Sequence, residues 1–183
     1  MDVADRCARS RGFSVIELLA VLAIAVILLS LGVPAWKDLI SSTRVSTSRM
    51  QLATALALGR HTALENGQYL TLCPSVDQQH CSGDYTAWHA GMILFVDRDA
   101  DRQHTADEPI LRTIAPMPRI TIQSSSGRRS IRFAADGSAW GSNLTLRFCM
   151  PEDASYNRAI ILYGSGRARF SDSLSNGDPV TCL

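Results

Sequence analysis

Arg11-Gly12-Phe13-Ser14-Val15-Ile16-Glu17-Leu18-Leu19 opens the apolar run that decides the fold of this 183-residue chain. The run covers residues 13–33, which as a helix would measure roughly 31 Å, close to the ~30 Å hydrocarbon core of a bilayer. Three arginines lie among the first eleven residues, and positive charge beside a span keeps that end in the cytoplasm. The sequence therefore predicts a single transmembrane helix.

The carboxylate of Glu17 is the unusual feature of this span. An ionisable side chain in hydrocarbon costs several kcal/mol and normally marks a function. Gly12 lies directly before the apolar run, whereas a secretory signal peptide is cleaved after its apolar run. We therefore expect cleavage on the cytoplasmic side, with the span retained in the mature protein.

This arrangement resembles the processing site of type IV prepilins and of the pseudopilins of type II secretion. The resemblance implies that a prepilin peptidase cuts after Gly12 and that Phe13 becomes the N-methylated N-terminus. It also implies that Glu17 pairs with the N-terminal amine of a neighbouring subunit during filament assembly, because pairing two buried opposite charges offsets their desolvation. The alternative is an ordinary single-pass anchor with a chance glutamate.

Helical sequence continues from the span to about Leu64, where Asn66-Gly67 is suited to end a helix. Pro34 matches the place where many pilin helices bend, so we expect a kink or local unwinding near Ser30–Pro34. A row at three- and four-residue steps is expected to pack on a sheet: Leu39, Thr43, Thr47, Met50, Ala53, Ala57, His61 and Leu64. The predicted organisation is a leader (residues 1–12), a transmembrane helix (13–34), an amphipathic helix (35–65) and a periplasmic β domain (66–183).

Short apolar or alternating runs separated by turn residues follow Gln68 and indicate strands. Eight are predicted: Tyr69–Cys73, Gly91–Val96, Ile110–Ile114, Arg119–Gln123, Ser130–Ala134, Leu144–Cys149, Ala159–Tyr163 and Ala168–Phe170. The fold class is therefore α+β, a long N-terminal helix packed on a C-terminal antiparallel β-sheet domain. This order resembles the GspH/FimT family of minor pilins and pseudopilins, including Trp88-x-x-Gly91 before a strand that ends Phe95-Val96-Asp97. The resemblance implies a type IV pilin-like fold.

Five cysteines divide into Cys7 in the leader and four beyond the span. An even set outside the membrane suits disulfides in an oxidising compartment. Four cysteines allow three connectivities, and we favour the local pair Cys73–Cys81 together with Cys149–Cys182, which would tie the C-terminal tail to the sheet. No CxxC pair or Cys/His set with zinc spacing occurs in the sequence, and we expect no metal and no cofactor.

The sharpest acidic cluster is Asp97-Arg98-Asp99-Ala100-Asp101. Its three aspartates and Glu108 occupy the first, third, fifth and twelfth positions of a calcium loop, but Arg102 replaces the glycine that such a loop has at its sixth position. The flanks are also strand-like rather than helical. We therefore expect a solvated hairpin loop, with calcium binding as the alternative.

The net charge is +1 overall but is distributed unevenly. Residues 66–111 carry two arginines against seven acids, and residues 112–169 carry nine arginines against three acids. Such asymmetry can mark an anionic partner for the basic half, or the two halves can simply neutralise each other.

Gly166-Arg167-Ala168-Arg169 is the basic element of most interest. In a strand Arg167 and Arg169 would project from one face, and paired guanidiniums bind phosphates bidentately. The glycines before them would let a nucleic-acid backbone approach. The element resembles the DNA-contacting motif of FimT-like minor pilins, which implies DNA binding with little sequence specificity; the alternative is a solvated strand edge whose charges deter aggregation. The arginines that could extend the patch are Arg128, Arg129 and Arg132.

No GxSxG, HExxH or Walker sequence occurs, and the four histidines are scattered, so we expect no enzyme. The favoured function is a FimT-like minor pilin of a type IV pilus that assembles or tips the filament and binds DNA for uptake in natural transformation. We expect it in the bacterial inner membrane, single-pass, with its C-terminal domain in the periplasm. Its expected partners are other pilin or pseudopilin subunits, prepilin peptidase, the membrane and DNA. The alternatives are a GspH-like minor pseudopilin of type II secretion without DNA binding, and a membrane-tethered periplasmic adaptor that never polymerises.

Overall fold

The N-terminal part of the fold is one long helix. The computed structural model describes residues 14–182, and its contacts divide the chain into two units, the second of which begins at Ser41. The helix α1 (Val15–Asn66) belongs to both units and begins and ends within two residues of the prediction. Helical residues continue through Ser30–Pro34. Of the expected kink or local unwinding, the unwinding is therefore wrong, because a proline removes only one hydrogen bond from a helix of 52 residues. The kink stays a prediction.

In the first unit α1 has the character of a membrane span. Its large apolar side chains are exposed on all sides, among them Ile16, Leu22 and Leu29. Its length and composition are sufficient to cross a bilayer, and none of the most apolar stretch is buried in the described part of the chain. A helix that is hydrophobic all round is suited to a lipid environment.

The second unit contains eight strands in two sheets. They are β1 (Leu70–Pro74), β2 (Met92–Val96), β3 (Ile110–Ile114), β4 (Thr121–Ser124), β5 (Ile131–Phe133), β6 (Leu144–Cys149), β7 (Arg158–Leu162) and β8 (Ala168–Ser171). Sheet I has the order β3-β2-β1-β5 and sheet II the order β4-β6-β7-β8, with every pair antiparallel. All eight predicted strands are present, each with ends within two residues of the prediction, and the α+β fold class is confirmed.

The second half of α1 packs on the inner faces of both sheets, but through a different row of residues from the predicted one. The buried positions are Val45, Ser48, Leu52, Ala55, Leu56, Gly59 and Ala63. Of the predicted row only Ala53 is even half-buried, and the other seven are exposed. His61, expected to be packed, is also exposed, and its Nδ1 lies 3.1 Å from Glu65 Oε2. The prediction failed because apolar residues surround much of this helix, so spacing alone does not select one face.

Two disulfides close loops over the outer faces of the sheets. Cys73–Cys81 joins the end of β1 to the following loop and packs with Ile93 and Phe95 on the outer face of sheet I. Cys149–Cys182 attaches the C-terminal tail to the end of β6 in sheet II. Both are the pairs expected from the sequence, and the second ties the tail to the sheet as predicted.

Candidate functional site

The predicted processing site precedes α1 in the sequence. Gly12 and Phe13, the expected cleavage and methylation residues, lie outside the described residues. Ser14 precedes the helix, and its Oγ accepts a hydrogen bond from the Glu17 N–H at 3.2 Å. This is the hydrogen bond of a helix N-cap, in which a hydroxyl satisfies an N–H that has no partner within the helix. Ser14 therefore starts α1 and fixes Glu17 in its first turn.

The Glu17 carboxylate is available to a partner. The Glu17 side chain is exposed, and within residues 14–182 it forms no hydrogen bond or ion pair. A carboxylate in the first turn of a helix is also favoured by the helix dipole. The local structure is therefore compatible with an electrostatic role for Glu17 toward another chain.

The second candidate site is the turn that joins β7 to β8, which we call the arginine turn (residues 163–169). The Tyr163 N–H donates to the Arg167 carbonyl at 2.9 Å, and the Gly166 N–H donates to the Tyr163 carbonyl at 2.9 Å. Gly166 has φ +75°, and a Cβ there would lie 2.0 Å from the Gly137 carbonyl oxygen. Only glycine fits, because a distant turn of the chain lies against it. Gly166 is thus buried by the protein itself, and the expectation that it opens an approach for a nucleic-acid backbone is wrong.

Arg167 and Arg169 are both exposed on the outer edge of sheet II. Arg169 lies opposite Ile161 of β7, whereas the next residue, Phe170, turns toward α1, with the Arg49 guanidinium 4.7 Å from its ring centre. Within residues 14–182 neither Arg167 nor Arg169 forms a side-chain hydrogen bond or ion pair. Both guanidiniums therefore keep all of their donors for a ligand.

The other predicted arginines are largely engaged in contacts within the protein. Arg132 donates to the Ala100 carbonyl and lies over the Tyr69 ring, 5.1 Å from its centre. Arg128 donates to the Gly141 carbonyl at 2.6 Å, and Arg129 is exposed. Arg128 and Arg132 thus contribute positive charge while bracing loops.

Arg102 joins Arg128 and Arg132 in a basic group that the sequence analysis missed. Burial lowers the pKa of the Arg102 guanidinium, and the charges of Arg132 and Arg128 lower it further. No hydrogen bond or ion pair between described residues connects this group directly to Arg167 or Arg169.

A short turn lies between the two groups and carries an exposed tryptophan. This central turn (residues 139–142) is attached to the arginine turn through the Ala139 N–H, which donates to the Gly164 carbonyl at 2.8 Å. It is attached to Arg128 through the Gly141 carbonyl. The Trp140 indole lies against Gly164, where an added Cβ would be 2.9 Å from its Cε3, yet the residue is 76% exposed. Sequence reasoning missed Trp140; the available signal was a large aromatic residue in a loop of small residues.

The third candidate, the loop between β2 and β3, differs from the solvated hairpin that was expected. The flanking elements are strands, as predicted. However, Asp97 is 0% exposed and Glu108 is 4% exposed. The expectation of a solvated loop is therefore wrong for these two carboxylates, whereas Asp99 and Asp101 are exposed.

Comparisons with known proteins identify the family. The family model described as "Type II transport protein GspH" matches residues 49–166, and the model of the prokaryotic N-terminal methylation motif matches residues 7–33. No curated protein sequence matches the chain.

Two solved structures of one protein share the fold. The type IV minor pilin FimU of Pseudomonas aeruginosa PAO1, in space group P21, has 17% identity and a TM-score of 0.59 over 77% of this chain and 96% of FimU. FimU in space group P65 has 16% identity and a TM-score of 0.56 over 75% and 99%. The minor pseudopilin EpsH of the Vibrio cholerae type 2 secretion system has 13% identity and a TM-score of 0.47 over 74% and 99%.

The family match covers more than half of the chain, and the methylation motif lies at the start of an apolar helix that has the character of a membrane anchor. Pilins and pseudopilins are structural subunits rather than enzymes. The chain belongs to the GspH family and is a minor pilin or pseudopilin of a type IV pilus or a type II secretion system.

Proposed function

We propose that this protein is a minor pilin of a type IV pilus that takes part in filament assembly or tip formation and binds DNA for uptake in natural transformation. Prepilin peptidase cleaves after Gly12, Phe13 is methylated, and Glu17 pairs with the terminal amine of a neighbouring subunit. The chain then spans the inner membrane through residues 13–34 and carries its β domain in the periplasm. The methylation motif at residues 7–33 supports this order of events.

The observation that carries DNA binding is the pair of unengaged guanidiniums on the arginine turn. Arg167 and Arg169 are exposed, two residues apart, and without partners among the described residues. Guanidinium donors form a planar fork that matches the geometry of phosphate oxygens, so each can bind one phosphate in a bidentate manner. Phosphate contacts position a protein on DNA without reading bases, and little sequence preference is expected.

Trp140 and Arg128 extend this interface. Trp140 is exposed beside Gly164 of the arginine turn, and an exposed aromatic ring can stack on an unpaired base. Arg128 lies on the other side of the central turn and adds long-range attraction for a polyanion. The arrangement is basic and aromatic over one continuous set of loops.

DNA binding is tested by measuring the salt dependence of affinity. The full chain, purified in detergent micelles, is titrated with a labelled duplex at several salt concentrations. Each lost phosphate contact reduces the log–log slope by about 0.9, so the double variant Arg167→Ala/Arg169→Ala should flatten it by about 2. Arg119→Ala is the matched control, because it removes an exposed arginine that precedes β4, at the opposite edge of sheet II, and should leave the slope unchanged.

A wild-type chain that fails to bind the duplex at low salt overturns the DNA proposal and favours the alternative, a GspH-like minor pseudopilin without DNA binding. Arg119→Ala removes one charge and the double variant two, so a loss of slope of about 0.9 in Arg119→Ala would show that overall charge, and not the arginine turn, is responsible. The remaining alternative, an adaptor that never polymerises, is separated by the fate of Glu17 variants described in the Discussion.

A further inference from the structure

Three carboxylates meet where the loop between β2 and β3 begins and ends. Asp97 directly follows β2, and Glu108 lies two residues before β3. One carboxylate oxygen from each of Asp97, Asp99 and Glu108 lies within 4.8 Å of the other two. We propose that these three residues, the carboxylate cluster, bind a divalent cation, and that the cation is calcium.

Asp97 provides the observation that points to a ligand. Its side chain is fully buried, and Oδ2 accepts a hydrogen bond from Thr71 Oγ1 at 2.6 Å. The other oxygen, Oδ1, is buried and has no hydrogen-bond partner in the described part of the chain. A buried polar atom without a partner is costly, and more so when it belongs to a charged group. A cation held between the three carboxylates would supply the missing partner.

Backbone hydrogen bonds position the Glu108 carboxylate as a second ligand for the cation. Its Oε1 accepts the Arg98 N–H at 2.8 Å and its Oε2 accepts the Thr105 N–H at 3.0 Å. A carboxylate has about four lone-pair sites, so two backbone bonds leave room for a metal on either oxygen. The N–H donors therefore fix the Glu108 carboxylate in position and leave lone pairs free for a metal.

The ligand chemistry selects calcium. All three groups are carboxylate oxygens, which suit hard cations and not the softer metals that prefer thiolate or imidazole. Calcium accepts six to eight oxygens in an adaptable geometry and can complete its shell with water, whereas magnesium requires a near-ideal octahedron. Exposed Asp99 leaves one side of the cluster open to water, as an incomplete protein shell requires.

The charges of Arg102 and Asp97 interact, but Arg102 does not replace a metal. The charge of Asp97 raises the pKa of Arg102, against the larger lowering by burial. Among residues 14–182, however, no ion pair within 4.0 Å joins Arg102 to Asp97, Asp99 or Glu108. Between residues 14 and 182 the three carboxylates thus have no ion-pair partner.

The test is calcium binding by the full chain in detergent micelles after treatment with EDTA and removal of the chelator. Titration calorimetry should show saturable binding of Ca²⁺, and added Ca²⁺ should raise the melting temperature because it binds only the folded state. Mg²⁺ at the same concentration should raise it less. Asp99→Asn should weaken calcium binding by at least about tenfold, the lower end of the loss seen for residues that only support a metal ligand.

Asp101→Asn is the matched control. It removes the same charge from the same loop, and an asparagine can keep the hydrogen bond that Asp101 Oδ1 accepts from the Gln103 N–H. Its calcium affinity should fall less than that of Asp99→Asn. Absence of binding heat and of any change in melting temperature up to about 10 mM Ca²⁺, tenfold beyond the ~1 mM weak limit of extracellular calcium modules, overturns the proposal. Equal affinity in Asp99→Asn and the wild type does so as well.

Discussion

At the scale of single residues, Ser14 and Glu17 have separate roles at the start of α1. Ser14 caps the helix by accepting the Glu17 N–H, while the Glu17 carboxylate stays unengaged within residues 14–182. The sequence Ser-x-x-Glu is also that of a capping box, in which the glutamate returns to the cap residue. That return bond is absent among the described residues, so local helix capping does not account for the carboxylate.

Replacing Glu17 by valine should abolish incorporation into filaments, because the amine of the neighbouring subunit would lose its buried counter-charge. The measurement is the fraction of the protein recovered with sheared filaments rather than with membranes. Ser14→Ala is the control, since it removes the cap at a cost of about 1 kcal/mol and leaves the charge in place. Wild-type recovery of Glu17→Val would favour the adaptor that never polymerises.

Gly166 shows where residue-level prediction stops. The sequence places Arg167 and Arg169 in or beside a predicted strand; the structure confirms that strand and leaves both side chains exposed. The reason for the glycine is different from the one expected: it lies against the Gly137 carbonyl, which also accepts the Arg60 Nε–H at 3.1 Å. A contact between turns so far apart in the chain leaves no signal in the local pattern.

At the scale of elements, the buried face of α1 is determined by the size of its side chains as well as by their hydrophobicity. The buried row combines Leu52 and Leu56 with small residues such as Ala55, Gly59 and Ala63. Gly59 marks a close approach, because a Cβ there would lie 3.1 Å from Leu94 Cδ1 of sheet I. The predicted row has the same spacing and included Met50 and Leu64, so only the packing partners distinguish the two faces.

A pair of neighbouring leucine and methionine positions tests this assignment. Leu52→Ala, at 0% exposure, should lower the free energy of unfolding by about 2–5 kcal/mol through lost burial and a cavity. Met50→Ala, at 58% exposure, should change it by less than about 0.5 kcal/mol. Denaturant unfolding of the full chain in micelles, followed by near-ultraviolet circular dichroism, measures both. A larger loss in Met50→Ala would restore the originally predicted face.

At the scale of the whole molecule, the order of elements was predictable and the pairing of strands was not. The eight strands and the long helix follow from turn residues and periodicity. The two observed disulfides are the favoured one of three connectivities that the cysteine positions left open. The division into two sheets does not follow from the sequence pattern, because β5 leaves the meander and pairs with β1 across a long stretch of chain. Such pairing depends on packing against α1, which a strand pattern does not encode. The same limit applies to Trp140, which reaches the arginine turn only through this topology.

The stability of the β domain in acid should depend on the protonation of its loop aspartates. Hydrogen bonds hold the pKa values of several loop aspartates well below their usual range. The main bonds are those from His80 to Asp77, from Thr86 to Asp84 and from Thr105 to Asp107. An aspartate whose pKa is lower in the folded state stabilises the fold fully at pH values above its unfolded-state pKa of about 3.9. This stabilisation is lost as the pH falls through the folded-state pKa. The melting temperature should therefore fall below about pH 4.

Thermal unfolding of the full chain in micelles at a series of pH values checks this expectation. Asp77→Asn is the control, because an asparagine can still accept the backbone N–H groups of Gln79 and His80 but does not titrate. Its melting temperature should fall less steeply in acid. A wild-type melting temperature that rises as the pH falls below about 4 would contradict the assignment.

The bond between Cys149 and Cys182 has a consequence for the proposed DNA interface. Both Arg167 and Arg169 lie inside the covalent ring that this bond closes, together with β7, β8 and the tail. A ring of this size restricts the unfolded chain by about 3–4 kcal/mol in the loop-entropy description. The arginine pair therefore lies in a part of the fold that thiol oxidation stabilises, so affinity for a polyanion would increase once the domain reaches an oxidising compartment.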